Sequence, residues 1–554
     1  MTDAQPLFLG LDLSTQQLKA ILVDEDSVVV HESAVGFDRD LPHYGTINGA
    51  IRGPDDGEVT SPVAMWLEAM DLLLQRMKDA GVNMNDIQAV SGAGQQHGSV
   101  YWSHNAEKLL GSLDAGETLL AQLAPAAFSS PNAPIWQDSS TTRECQELEE
   151  AVGGAQALAD LTGSRAYERF TGTQIKRARL LPPEFIIRHL RPEVYDATSR
   201  ISLVSSFIPS LFLGSIAPIE ISDASGMNLM NVLTCKWDDN LLDTCGGPEL
   251  RSKLGPEPVP GGTVLGTVSS WWTEKWAFSP DCMVAPFTGD NPATMVALST
   301  PGDAVLSLGT STTFLLSIPP AETAPARFTT SHLLSHPTTP DAQIAMLCYK
   351  NGALAREQVR DKYASRSWDT YNTLVEQTPP GNNGYWGYYF PLPEIIPPGV
   401  KGDYFFKGSD MSPVVSIPDS THPRAILESQ LLSIRSRVAA ILPTSAPPLH
   451  RLVLTGGSSA NQVIRQLAAD VFGMNAYVAE DTKEAAGTGG AILAKFAWWR
   501  AQNGGLGTFE EMRAADVERL RRVASPKADV TKVYDALVEP YRVGETWVAR
   551  ACAQ

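Results

Sequence analysis

Apolar residues along this chain recur at two spacings, and the changes of spacing mark its elements. The opening stretch LFLGLDLSTQQLKAILVD, Leu7 to Asp24, predicts a strand, a tight turn and a second strand, and DSVVVHESAV predicts a third. The period then lengthens. In SPVAMWLEAMDLLLQRMKDAG, Trp66, Met70, Leu73, Leu74 and Met77 fall at helical spacing, begun by Ser61-Pro62 and stopped by Gly81. IQAVSGAGQQHGSVYW reads as strand, Gly-rich turn and strand, and ISLVSSFIPSLFLG as a strand running into a short helix. Strands alternating with helices predict α/β layers.

A second start follows. AVLSLGTSTTFLLSI, Ala304 to Ile318, repeats the plan of the opening segment: apolar strand, Gly-x-Ser/Thr turn, apolar strand. Self-similarity on this scale predicts two like-folded halves rather than a solenoid. The second half continues with a long helix in THPRAILESQLLSIRSRVAAILP. LHRLVLTGGSSANQVIRQLAADVFG then gives strand, Gly-Gly turn and helix, and AYVAE a last strand. The break is placed after Asp290, giving domains of 1–290 and 291–554. The segment NNGYWGYYFPLPEIIPPGVKGDYFF is too apolar for a disordered linker and reads as an ordered excursion over a site.

With 554 residues the chain is long enough for two cores, and 43% hydrophobic with 19% charged residues is ordinary for a folded enzyme. The net charge of −19 is evenly spread, which disfavours nucleic acid and anionic membranes as partners. A nest of backbone amides still overrides that sign locally, so a phosphate ligand stays open. The N-terminus lacks a secretory signal pattern, and the most apolar segment is interrupted by Pro209, Gly214 and Pro218. The six cysteines show no ligand-like spacing and read as reduced thiols of a cytoplasmic protein. The nine histidines form no zinc pattern.

Three Gly-rich turns can point backbone N–H groups at phosphates: Gly10 to Thr15, Gly309 to Thr312, and Gly456 to Ser459, the last opening a helix. Each is also a plain turn by composition; together, in two similar halves, they suit phosphoryl transfer. Asp12 is a candidate for organising Mg²⁺, which prefers oxygen ligands, or else a solvated turn carboxylate. Lys19 follows it, on a strand whose alternation also suits solvent. In FTGDNPAT, Asp290 ends an apolar strand; it is either a general base for a substrate hydroxyl or the N-cap of a helix beginning at Pro292. Gln95, Gln96 and His97 sit in a glycine-flanked turn beside Tyr101 and Trp102, a set able to grip and shield a polyol. Arg165 and Arg169, in TGSRAYERFTGTQ, carry forked donors that suit sugar hydroxyls and equally suit surface ion pairs.

In this order the segments resemble the FGGY carbohydrate kinases of the actin-like ATPase superfamily. GLDLSTQQLKA is similar to the first phosphate motif, GQQHG to a sugar-contacting loop and FTGDNPAT to the loop of the catalytic aspartate. LGTST is similar to the second phosphate motif and TGGSSANQ to the adenine-binding turn. Within the family, LTGSRAYERFTGTQI, CYKNGALAREQVRD with SWD, and GYYFPLPEIIPP are similar to the eukaryotic, fungal-type branch that acts on D-xylulose. The resemblance implies two actin-like ATPase (ribonuclease H-like) α/β domains, mixed sheets flanked by helices, with a cleft between them that closes by a hinge. It implies ATP-dependent phosphorylation of D-xylulose at its 5-hydroxyl, with Mg²⁺, by a monomer or homodimer. Asp290 is then the base and Asp12 the metal-organising acid. Gln96, His97, Trp102, Arg169, Asp290 and Asn291 bind the sugar. Ser14, Thr15, Gly309, Thr310, Ser311, Thr312, Trp368, Gly456, Gly457, Ser458 and Asn461 serve ATP. Many relatives carry Gly where this chain has Ser14, which adds a hydroxyl and constrains the turn. A sister kinase for ribulose or glycerol, an ATP-gated binding protein of the actin or Hsp70 kind, and a sugar sensor without catalysis are the alternatives.

Overall fold

The strands and helices predicted from apolar spacing are all present in the computed structural model, which describes residues 5–180, 192–443, 445–479, 484–514 and 520–552. The chain forms two compact units. The first comprises residues 1–298, 333–341 and 482–517, and the second 299–332, 342–481 and 518–554. The boundary expected at 290/291 is therefore corrected. Helix Asp290–Leu298 packs on helix Ala485–Gln502 and so belongs wholly to the first unit, to which the chain returns near its end.

The first unit is built on a seven-stranded mixed sheet. Strand Leu7–Leu13 lies between its antiparallel hairpin partner Gln17–Val23 and the parallel strand Ile87–Gly94. Helix Val63–Asp79 buries Trp66, Met70, Leu73, Leu74 and Met77, the residues its spacing picked out, in the core on one face of this sheet. Helix Ala485–Gln502 covers other core residues and lies almost touching the strands. A Cβ on Gly490 would fall 2.4 Å from the Cα of Gly92, and one on Gly489 would fall 1.8 Å from the carbonyl oxygen of Ala293. Only glycine permits so close an approach.

The second unit repeats the arrangement. Strand Ala304–Leu308 lies between its hairpin partner Thr312–Ile318 and the parallel strand Arg451–Thr455, which pairs in turn with Asn475–Ala479. Each half thus starts with a central hairpin flanked by one parallel strand, the repeat visible in the sequence. The aromatic excursion forms a small antiparallel sheet of Tyr385–Phe390, Gly402–Lys407 and Ser412–Val414. It packs on helices His422–Ile441 and Ala528–Cys552: Tyr388 donates to the carbonyl of Tyr541, and Phe406 meets Trp547 edge-on. It is an ordered layer over helices, and Tyr389, Phe390, Glu394 and Ile396 of the excursion line a cavity together with Thr312 and Asn351.

Candidate active site

The register of the first sheet brings the two candidate aspartates together. Strand Ile87–Gly94 pairs in parallel with Leu7–Leu13 on one side and with Thr288–Gly289 on the other. Ala93 lies opposite Asp12 and opposite Thr288. With strands spaced ~4.8 Å, the backbones carrying Asp12 and Asp290 leave the same sheet edge about 10 Å apart. Gln95, Gln96 and His97 emerge from the strand between them. This is the carboxyl end of three parallel strands, where α/β sheets bind ligands.

Asp290 opens its helix directly, two residues earlier than the Pro292 start. Its Oδ1 accepts from the backbone N–H of Asn291 at 2.8 Å and from the Asn291 side-chain amide at 3.1 Å. The Asn291 amide also donates to Gln96 Oε1 at 2.8 Å, and the Gln96 backbone N–H donates to Asp290. Burial pushes the Asp290 carboxyl up to about 7, reinforced by the charges of Asp12 and Asp223. A base needs a pKa near the working pH, and this one has it. Asp12 is pushed up to about 6, again chiefly by burial, against the lowering effect of Ser14.

The Ser14 hydroxyl donates to Asp12 Oδ2 at 2.8 Å, so this side chain holds the acid. Asp12 Oδ1 is buried without a partner. An orphaned carboxylate oxygen fits a cation. Among the described residues no group of three His, Cys, Asp or Glu side chains could hold a metal ion. The donor set therefore suits Mg²⁺, which keeps water and phosphate oxygens as its other ligands. Lys19 lies opposite Asp12 in the hairpin and forms an ion pair with Glu484 instead of facing solvent. Thr15 accepts the indole N–H of Trp136 at 2.8 Å and donates to Gln95 Oε1 at 3.3 Å.

His97 adopts a left-handed backbone, φ +72°, which turns its ring onto Phe170 at 4.5 Å, with Nδ1 3.0 Å from the Gly226 carbonyl oxygen. Arg169 lies over the ring of Tyr167 at 4.6 Å and near that of Phe170 at 5.5 Å. His97 and Arg169 therefore flank the same aromatic residue. Trp102 does not join them. It is fully buried in the core against Phe128 and Phe207 and donates to Ser202, so its expected sugar contact is corrected to a packing role. Arg165 pairs with Glu149.

Two acids near Asp290 escaped the sequence reading. Glu220 Oε2 accepts from Thr288 at 2.6 Å and from the backbone N–H of Asp223 at 3.1 Å. Asp223 accepts from Ser205 at 2.5 Å. Burial pushes Glu220 up to about 8 and Asp223 up to about 6. Neither sits in a Gly-rich turn, so no local pattern marked them.

In the second unit the two remaining turns meet. A Cβ on Gly456, φ +81°, would lie 2.8–3.0 Å from the backbone of Leu308 and Gly309. One on Gly352 would lie 2.7 Å from Thr310 O and Ser311 C. Thr310 and Ser311 are exposed; Thr312 starts its strand with its hydroxyl buried and unpartnered. Gly457–Ala460 form a single 3-10 turn, and the α-helix begins at Gln462. The expectation that Gly456 to Ser459 open the helix is corrected accordingly. Asn461 caps that helix, accepting from the N–H groups of Val463 and Ile464, while its amide donates to Asn372 at 2.8 Å. Asn372 lies one turn after Trp368 on helix Trp368–Gln377, so Trp368 and Asn461 are brought to one place. The Trp368 ring carries Arg360 on its face at 4.8 Å.

The model of the N-terminal domain of the FGGY family of carbohydrate kinases matches residues 131–297, and that of the C-terminal domain matches 304–498, together more than half of the chain. The chain belongs to the FGGY family of carbohydrate kinases. It is 44% identical over 501 residues to a probable D-xylulose kinase A of Aspergillus clavatus, covering 85% of each chain. It is 42% identical over 534 residues to the xylulose kinase of Rattus norvegicus, covering 96% of this chain and 95% of that one. The crystal structure of xylulose kinase from Rhodospirillum rubrum superposes with a TM-score of 0.76 at 18% identity, over 99% of this chain and all of the other, a likeness of fold. Two FGGY domains account for the duplicated hairpin.

Proposed function

We propose that this kinase transfers the γ-phosphoryl group of ATP to the 5-hydroxyl of D-xylulose, giving D-xylulose 5-phosphate and ADP. The substrate reading is supported by relatives of that name over nearly the whole chain, which include the sugar-side loops. The chemistry rests on one observation. Asp290 is a partly buried carboxylate at the carboxyl end of the sheet, held through Asn291 and Gln96, with desolvation pushing it up to about 7.

In this reading His97, Arg169, Asn291 and Gln96 orient the ketopentose so that its terminal hydroxyl meets Asp290. The carboxylate takes the hydroxyl proton as the oxygen attacks the γ-phosphorus in line, and the β–γ bridging oxygen leaves with ADP. No phosphoenzyme is formed. Asp12, steadied by Ser14, would hold Mg²⁺, which neutralises phosphate charge when bound. Thr310, Ser311, Gly456 and Gly457 offer backbone and hydroxyl donors to the nucleotide, and Trp368 and Asn461 frame its base.

The test is Asp290→Asn. Calorimetry is expected to show D-xylulose and ATP bound within about threefold of the parent, with turnover reduced at least ~10³-fold. Turnover near that of the parent would remove Asp290 from the role of base.

A further inference from the structure

One buried cation in the second unit has no counter-ion. Arg356 lies in the first turn of helix Ala353–Tyr363 and is 1% exposed. Nη1 donates to Gln430 Oε1 at 2.7 Å and Nη2 to Ser458 Oγ at 3.1 Å, while Nε has no partner. Among the described residues no carboxylate lies within ion-pair distance of it. The same unit treats buried Arg424 and half-buried Arg437 differently: Arg424 pairs with Glu428, and Arg437 with Glu545. A desolvated guanidinium without an anion is costly, and a cation at a helix N-terminus opposes the helix dipole as well. Burial lowers Arg356 only to about 10, so it keeps its charge at neutral pH.

Its two partners connect it to three turns of this unit, Ser458 directly and the others through Gln430. Ser458 belongs to the Gly456–Ser459 turn. Gln430 passes its amide to the carbonyls of Asn351 and Gly352 at 2.8 and 3.2 Å. Gly352 presses on Thr310 and Ser311, and Ala353 N–H donates to the Gly309 carbonyl at 3.0 Å. Glu394, on the loop of the aromatic excursion, secures the same bend by accepting from the backbone of Lys350 and Asn351 and from the Asn351 amide. One charge is thus linked to the Gly456–Ser459 turn through Ser458 and to the Asn351–Gly352 bend, against which Gly309–Ser311 lie, through Gln430.

We propose that Arg356 is a positioning residue for the nucleotide polyphosphate: its missing counter-ion is supplied by the phosphates, which it serves through the Ser458 hydroxyl and through its field. This rests on the reading that the second unit binds ATP. Because the charge lies in a poorly screened interior, its effect grows with the charge of the ligand. A residue that merely stapled the turns together would affect adenosine as much as ATP.

The test is calorimetric titration of the full chain with adenosine, ADP and ATP. Arg356→Gln is expected to weaken ATP at least tenfold and ADP less, to leave adenosine within twofold, and to leave D-xylulose binding unchanged. Equal losses for all three, or no loss for ATP, would overturn the proposal. Arg356→Lys covers the case in which Arg356→Gln does not fold. Keeping the charge without the fork, it is expected to hold all three affinities within threefold, whereas parallel losses would assign Arg356 to stapling. Gly457→Asp tests the underlying reading separately. A Cβ at Gly457 meets nothing within 4 Å, so the carboxylate is accommodated. It should weaken every one of these ligands; indifference there would remove the nucleotide from this unit whatever Arg356 does.

Discussion

At the scale of single residues, environment divides chemically similar side chains. Asp12 and Asp290 are acids at one sheet edge, yet Asp12 keeps one oxygen without a partner while Asp290 is oriented by two amide N–H groups. The raised pKa of Asp290 has a sign. Its carboxyl holds a proton in the folded state up to about pH 7 and loses it near 3.8 in the unfolded chain. Between those values the folded state binds more protons, so stability falls as pH rises through that window. Asp290→Asn, which cannot ionise, is therefore expected to be more stable than the parent at pH 8, by on the order of 2 kcal/mol in urea denaturation. The difference should vanish near pH 4. Turnover of the parent should rise with pH along a limb centred near 7, read from log kcat against pH. Trp102 makes the opposite point. As a core residue, Trp102→Ala should cost about 3–5 kcal/mol, and Trp102→Phe should leave the KM for D-xylulose within about twofold.

At the scale of elements, apolar spacing predicted the strands and helices because it reports burial, and burial follows one partner face. Spacing does not report which partner. Helix Ala485–Gln502 has glycines at 487, 489 and 490 that allow it to seat on the first sheet, but in sequence they are only weak helix formers. That is why the domain boundary was misplaced and Gly490 passed unremarked. Gly490→Ala is expected to destabilise the fold by about 3 kcal/mol, seen as a lower denaturant midpoint, because the methyl group meets backbone. The site was legible where it lay in turns: Asp12, Gln96, His97, Asp290, Thr310 and Gly456 all stand in short glycine-bearing segments. Glu220, Asp223 and Arg356 were not, since their importance comes from long-range burial and from partners up to 102 residues away. Asn461 shows a residue serving two scales. Asn461→Ala should cost about 1 kcal/mol through the lost helix cap, in addition to any effect on nucleotide binding.

At the scale of the whole molecule, each unit carries a hairpin flanked by a parallel strand, and chemistry has been divided between them. The first unit gathers Asp12, Asp290 and the proposed polyol-binding side chains, and the second gathers glycine-bearing turns and, among the described residues, the uncompensated cation Arg356. A surface with a net charge of −19 gives no general attraction for ATP, so affinity for phosphate is assigned to local groups, as proposed for the turn amides and Arg356. The fold is shared with other sugar kinases, and the proposed reading assigns specificity to the loops bearing His97, Arg169 and Asn291. The most direct measurement is ADP release by the purified chain with ATP and Mg²⁺ over D-xylulose, D-ribulose, L-ribulose, pentitols, glycerol and hexoses. The account predicts sugar-dependent release with kcat/KM for D-xylulose at least tenfold above every other acceptor. A different preferred acceptor, or ATP consumption indifferent to sugar, would contradict it.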